Sequence, residues 1–172
     1  MSNVLIGIIG VILFIGLALA GALFLGPRFQ ESTIDSKAAA SVQALSQMAN
    51  AANMYRLQEG RPFQSGYIKP LADSGYMKTI PSNPVDIGGG FDARTSGGGV
   101  FEGDAAVIGM GVGQGDTASK ICSSIARQAG QTLVDGLAPT VTAYPSNPIG
   151  CFKLSQPLGS LPVDFYMAYA RI

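Results

Sequence analysis

The chain has 172 residues with 11 basic and 11 acidic side chains, so no net field draws it toward nucleic acid or an acidic surface. It holds no histidine, which excludes a Ser-His triad and a histidine zinc site. This length suits one domain with a core of its own beside a single membrane anchor.

Residues 4–26 contain no charged side chain. At about 1.5 Å per residue, a helix over them spans roughly 35 Å, enough for the ~30 Å hydrocarbon core of a bilayer. No basic residue precedes Arg28, so the run lacks the n-region of a cleavable secretory signal and is read as retained. Gly7, Gly10, Gly16, Gly21 and Gly26 recur through it with Ala18, Ala20 and Ala22, small residues that let membrane helices approach closely. The plain alternative is a lone anchor that tolerates glycine in lipid. Gly16, Gly21 and Gly26 each weaken a helix by about 1 kcal/mol relative to alanine, and Pro27 removes the bond to the Leu23 carbonyl. A bend is therefore expected at Pro27.

Beyond the anchor, Ile34, Ala38, Val42, Leu45, Ala49, Ala52 and Tyr55 recur at three- and four-residue steps, which predicts an amphipathic helix over 28–59. Ser36, Ser41, Gln43, Gln47 and Asn50 are assigned to its polar face, and Gly60 and Pro62 to its end. The two halves together predict one rod of ~55 residues, about 80 Å if unbroken.

Residues 60–172 read as a head domain. Proline and glycine punctuate the stretch from Gly60 to Pro84 into turns, with a short helix within 67–74. The glycines of 87–99 imply loops. Strands are predicted at 105–108, 141–144, 151–154 and 165–170. Between the first two, Asp116 or Thr117 can cap a helix carrying Ile121, Ile125 and Ala129, with Gly130 at its end. Cys122 then lies on that helix and Cys151 at a strand start. With an anchor that points to export, the pair reads as a structural disulfide, the alternative being two free buried thiols. Closing that loop contributes roughly 3–4 kcal/mol in the chain-entropy model.

Catalytic signals are weak throughout. In Gly109-Met110-Gly111-Val112-Gly113-Gln114-Gly115, Asp116 stands where the dinucleotide fingerprint needs glycine, so a strand-to-helix turn is the better reading. Glu102, Asp104 and Asp116 fit no EF-hand spacing and read as a solvated loop face. No pair of carboxylates is singled out for acid-base work. The chain is read as a non-enzyme with no cofactor, no catalytic residue and no metal site.

The order of these parts resembles a type IV pilin. Tyr55-Arg56-Leu57-Gln58-Glu59-Gly60-Arg61-Pro62 looks like the family's helix end, and Leu71-Ala72-Asp73-Ser74-Gly75-Tyr76-Met77-Lys78-Thr79-Ile80-Pro81 like the loop after it. The segment Ser119-Lys120-Ile121-Cys122-Ser123-Ser124-Ile125-Ala126 is similar to the cysteine-bearing helix of b-type pilins. The resemblance spans nearly the whole chain, though each motif alone is loose. It implies an α+β fold in which a long N-terminal helix packs on a small C-terminal antiparallel sheet. It also implies a mature subunit starting at Met1 after trimming by a prepilin peptidase. Such a subunit is held in the bacterial inner membrane, then polymerised by an assembly machinery into an extracellular helical homo-oligomer. One departure is plain: pilins usually carry glutamate at mature position five, and here that residue is Leu5. An uncompensated carboxylate in lipid is costly, so leucine eases insertion and removes a register device.

A fibre-forming subunit is the leading expectation, with filament-core packing assigned to Gly7, Gly10, Gly16, Gly21 and Gly26. The alternatives are a minor pilin or secretion pseudopilin, and a monomeric anchored domain that binds a ligand. Tyr67, Tyr76 and the 88–99 loop are the candidate surface contacts. Twitching, adhesion, conjugation and DNA capture share this architecture, so nucleic acid is a permitted but unindicated partner.

Overall fold

The structure, a computed structural model, describes residues 2–60, 68–85, 90–94, 106–141, 146–157 and 160–172. In chain order they form α1 (Ser2–Glu59), α2 (Lys69–Asp73), β1 (Phe91–Arg94), β2 (Val107–Gly113), α3 (Gly115–Gln128), β3 (Thr140–Val141), β4 (Ile149–Leu154) and β5 (Tyr166–Arg171). The α+β class with a long leading helix is as expected. The chain divides into two units, Met1–Thr33 and Ile34–Ile172.

The first unit is helix alone. In the second unit, α1 lays Ala38, Leu45, Met48, Ala49 and Ala52 into the core, with Ile34, Val42 and Tyr55 packed at its margins. These are the stripe residues of the sequence pattern. Ala44 and Ala51 are buried as well, so the covered face is broader than a strict three-four stripe. Ser41, assigned to the polar face, is fully buried instead. It lies between Ala38 and Leu45 on the same side of the helix, and its hydroxyl donates to the Lys37 carbonyl at 2.8 Å, which removes the desolvation cost. At the helix end the Gly60 N–H bonds to the Arg56 carbonyl at 3.1 Å with φ +65°, a left-handed conformation that glycine adopts without penalty. Pro62 and Tyr67 lie outside the described residues.

The five strands are ordered β1-β2-β5-β4-β3, and every pair is antiparallel except β3 with β4. That exception is two residues long, Thr140 beside Lys153 and Val141 beside Leu154. Strand alternation sorts the sheet into two faces. Ile108, Met110, Val112, Cys151, Ala168 and Ala170 join the core with α1 and with Ala118, Ile121, Ile125 and Ala126 of α3. Val107, Phe152, Leu154, Met167 and Tyr169 form a separate cluster on the other face, covered by Leu161 and Phe165.

Three local expectations are corrected. The glycine-rich 87–99 region holds strand β1, whose Phe91 pairs with Met110 and Arg94 with Val107. An edge strand needs a neighbour on one side only, so flanking glycines do not prevent it. The strand expected at 105–108 starts at Val107 and runs on to Gly113. Its glycines are not turn residues: Gly109 lies opposite Tyr169, and a β-carbon on Gly111 would meet the Phe165 ring at 3.3 Å. Gly111 makes room for the Phe165 ring, and the turn is confined to the junction with α3. Finally, α3 begins at Gly115 behind an extended Gln114 with no side-chain cap. Asp116 sits in the first turn, where its charge suits the helix dipole, rather than at the cap.

Candidate functional site

The sequence points to α1 as the functional element, and its leading part has no cover. Every large apolar side chain described from Leu5 to Leu23 is between 49% and 76% exposed, whereas Ala38, Leu45 and Met48 on the same helix are at 0%. The helix is long and apolar enough, by length and composition, to cross a membrane. Leu5 is one of these exposed side chains.

The glycines do not all fall on one line. At about 100° per residue, Gly7, Gly10 and Gly21 cluster with Ala18 and Ala22 on one side of the helix, while Gly16 lies on the opposite side with Ala20. A β-carbon built on Gly7, Gly10, Gly16 or Gly21 meets nothing within 4 Å, so none of these glycines is demanded by packing among the described residues. Leu17 and Phe14 stand near the first group, and Leu5, Ile9, Ile12 and Leu13 near Gly16 and Ala20. A helix apolar all round, with small residues on two sides, is suited to an environment that covers it completely. The helix runs unbroken across Gly26 and Pro27.

Cover begins where α3 meets α1. Ser124 donates to the Asp35 carboxylate at 2.7 Å, and the Gln128 amide reaches the Asp35 carbonyl and the Ser124 hydroxyl, each at 3.3 Å. The Cys122–Cys151 disulfide, expected from the cysteine pair, joins α3 to β4 with a Cα–Cα distance of 5.4 Å. Beside it, the buried Gln131 side chain accepts from the Cys151 N–H at 2.8 Å through Oε1, and the Gln131 backbone N–H bonds to the Ala126 carbonyl at 2.8 Å. Gln131 thus supplies β4 with an acceptor just before the short β3 ladder starts. Neither polar anchor was read from the sequence. A lone serine or glutamine carries no spacing signal, and its partner is distant along the chain.

Tyr76 is half-buried rather than a free surface ring. It stacks edge-on against Tyr55 with ring centroids 5.4 Å apart, and its hydroxyl donates to Glu59 at 3.4 Å. Partial desolvation, and then the Glu59 charge, push its phenol pKa up. Asn50, Ala51, Met54, Tyr76, Met77 and Lys78 line an open groove of about 390 Å³ between α1 and the segment after α2. On another part of the head, Val134 and Leu137 exchange two backbone hydrogen bonds of 2.9 Å across Asp135 and Gly136, and both apolar side chains are more than half exposed. The Asp-Gly pair between them is a hairpin signal present in the sequence and not read there.

These features define a class by architecture: an α+β head, closed by one disulfide, on a helix whose leading part is apolar and uncovered. The chain matches no family model, no curated protein and no solved structure.

Proposed function

We propose that the chain is a structural subunit of a type IV pilin-like surface filament and is not an enzyme. The observation that carries the reading is the change along α1, from an all-round apolar, uncovered surface to a stripe packed into the core of the chain's own head. A single helix of that kind has two uses in sequence. Lipid solvates the leading part before assembly, and equivalent helices of other copies replace the lipid afterwards, so the apolar surface never meets water. Since lipid is as apolar as leucine, the exchange gains little hydrophobic energy, and association depends on close packing at the small residues. Small residues on two sides of the helix suit a site in which each copy touches more than one neighbour.

With Leu5 in place of the pilin glutamate, register between copies rests on packing and on the heads. The disulfide suits a head exported to an oxidising compartment. Processing by a prepilin peptidase and storage in the bacterial inner membrane belong to the same reading. Electron microscopy of material sheared from cells tests it. Long uniform fibres containing this chain are expected; a chain recovered only as monomers lodged in membranes refutes it.

A further inference from the structure

We propose that the Val134–Leu137 turn of one copy seats in the Asn50–Met54 and Tyr76–Lys78 groove of a second copy, joining heads end to end. The inference rests on the filament reading and deepens it by naming a contact between heads.

Four observations carry it. The turn is preformed: Asp135 and Gly136 have φ of +51° and +75°, both positive as a type I′ turn requires, and two backbone hydrogen bonds close it. It therefore presents Val134 and Leu137, 60% and 52% exposed, without further loss of backbone freedom on docking. The groove offers an apolar floor in Ala51, Met54 and Met77, and about 390 Å³ is room for both side chains. Charge is complementary, because Asp135 stands at the tip of the turn and Lys78 at the groove.

Position supplies the fourth. Ala138 donates its N–H to the Ser123 hydroxyl and Ser124 bonds to Asp35, which ties the turn to the Asp35 end of the head. Asn50 and Met54 lie roughly 22 and 28 Å further along α1. Turn and groove are thus different surfaces at opposite ends of the head's helix. A contact between unlike surfaces runs head to tail and, where its rotation does not close a ring, propagates as an open chain, here with contacting copies offset by roughly 20–30 Å along α1.

Carbodiimide treatment of the full-length protein, in cell membranes or sheared material, tests the contact. The reagent activates the Asp135 carboxylate, the Lys78 amine attacks it, an amide forms and the urea leaves. A covalent dimer containing an Asp135–Lys78 linked peptide is expected by mass spectrometry. Lys78→Arg, which keeps the charge but cannot couple, abolishes that peptide. Val134→Ser with Leu137→Ser, which leaves the Asp-Gly turn intact, lowers its yield by about tenfold or more. Dimers linked only at other residues, or monomers alone, overturn the proposal. Fibres seen in the same sample without the linkage overturn the contact and leave the filament reading standing.

Discussion

Replacing Gly150 by alanine tests whether the Gln131 anchor holds β4 as the geometry implies. A β-carbon at Gly150 would lie 2.8 Å from the Tyr169 hydroxyl oxygen and 2.9 Å from the Gln131 Cδ, and closer still to the Gln131 Oε1 that accepts from Cys151. The alanine methyl must therefore displace the carboxamide. Leaving the buried Cys151 N–H unsatisfied costs roughly 1–3 kcal/mol, and overpacking a closed site costs about 1–3 kcal/mol. Both penalties stem from one displacement, so they overlap at roughly 2–4 kcal/mol. Alanine also narrows the unfolded ensemble, which returns about 0.4–1 kcal/mol. The net destabilisation is then about 1.5–3.5 kcal/mol, a fall of roughly 5–15 °C in the melting midpoint for a head of this size. Circular dichroism of the full-length protein in detergent measures it, and a variant as stable as the parent would refute the reasoning. A double-mutant cycle isolates the cause. With Gln131→Ala already made, Gly150→Ala should cost about 1 kcal/mol less, and strict additivity would contradict the steric account.

Removing the crosslink with Cys122→Ala and Cys151→Ala should lower stability by roughly 3–4 kcal/mol, read from denaturant midpoints; a loss near zero would mean the reduced chain already holds α3 against β4. Burial raises the Tyr169 phenol to about 12 from an ordinary value of 10.0, with Arg171 opposing. Because the folded value is the higher one, the protonated phenol's contribution is complete below pH 10 and is lost as the pH rises toward 12. Tyr169→Phe should flatten that alkaline decline in stability, and an unchanged slope would remove Tyr169 as its source. Gly16→Leu with Gly21→Leu, which fills both small-residue sides of α1, should abolish fibres while the head's melting midpoint stays within about 1 °C, since a β-carbon at either position meets nothing within 4 Å. Intact fibres from that variant would count against packing through the glycines.

Periodic features were open to reading along the chain. The charge-free run, the stripe from Ile34 to Tyr55, the helix bearing Cys122 and the start of β4 near Cys151 each repeat or break at a fixed local spacing, and local spacing is what a helix or strand imposes. Composition also established that the leading segment needs an apolar environment, because a helix apolar on every side has no face for water. Tertiary structure alone decided what Gly111 of β2 does, since it owes its place to the ring of Phe165, more than fifty residues later. It also decided that Ser41 is inside, that Gln131 and Ser124 are anchors, and that Val134 and Leu137 are left outside. Such assignments depend on which distant side chain arrives at a given point, and that follows from strand order and helix packing rather than from any pattern of neighbours in sequence.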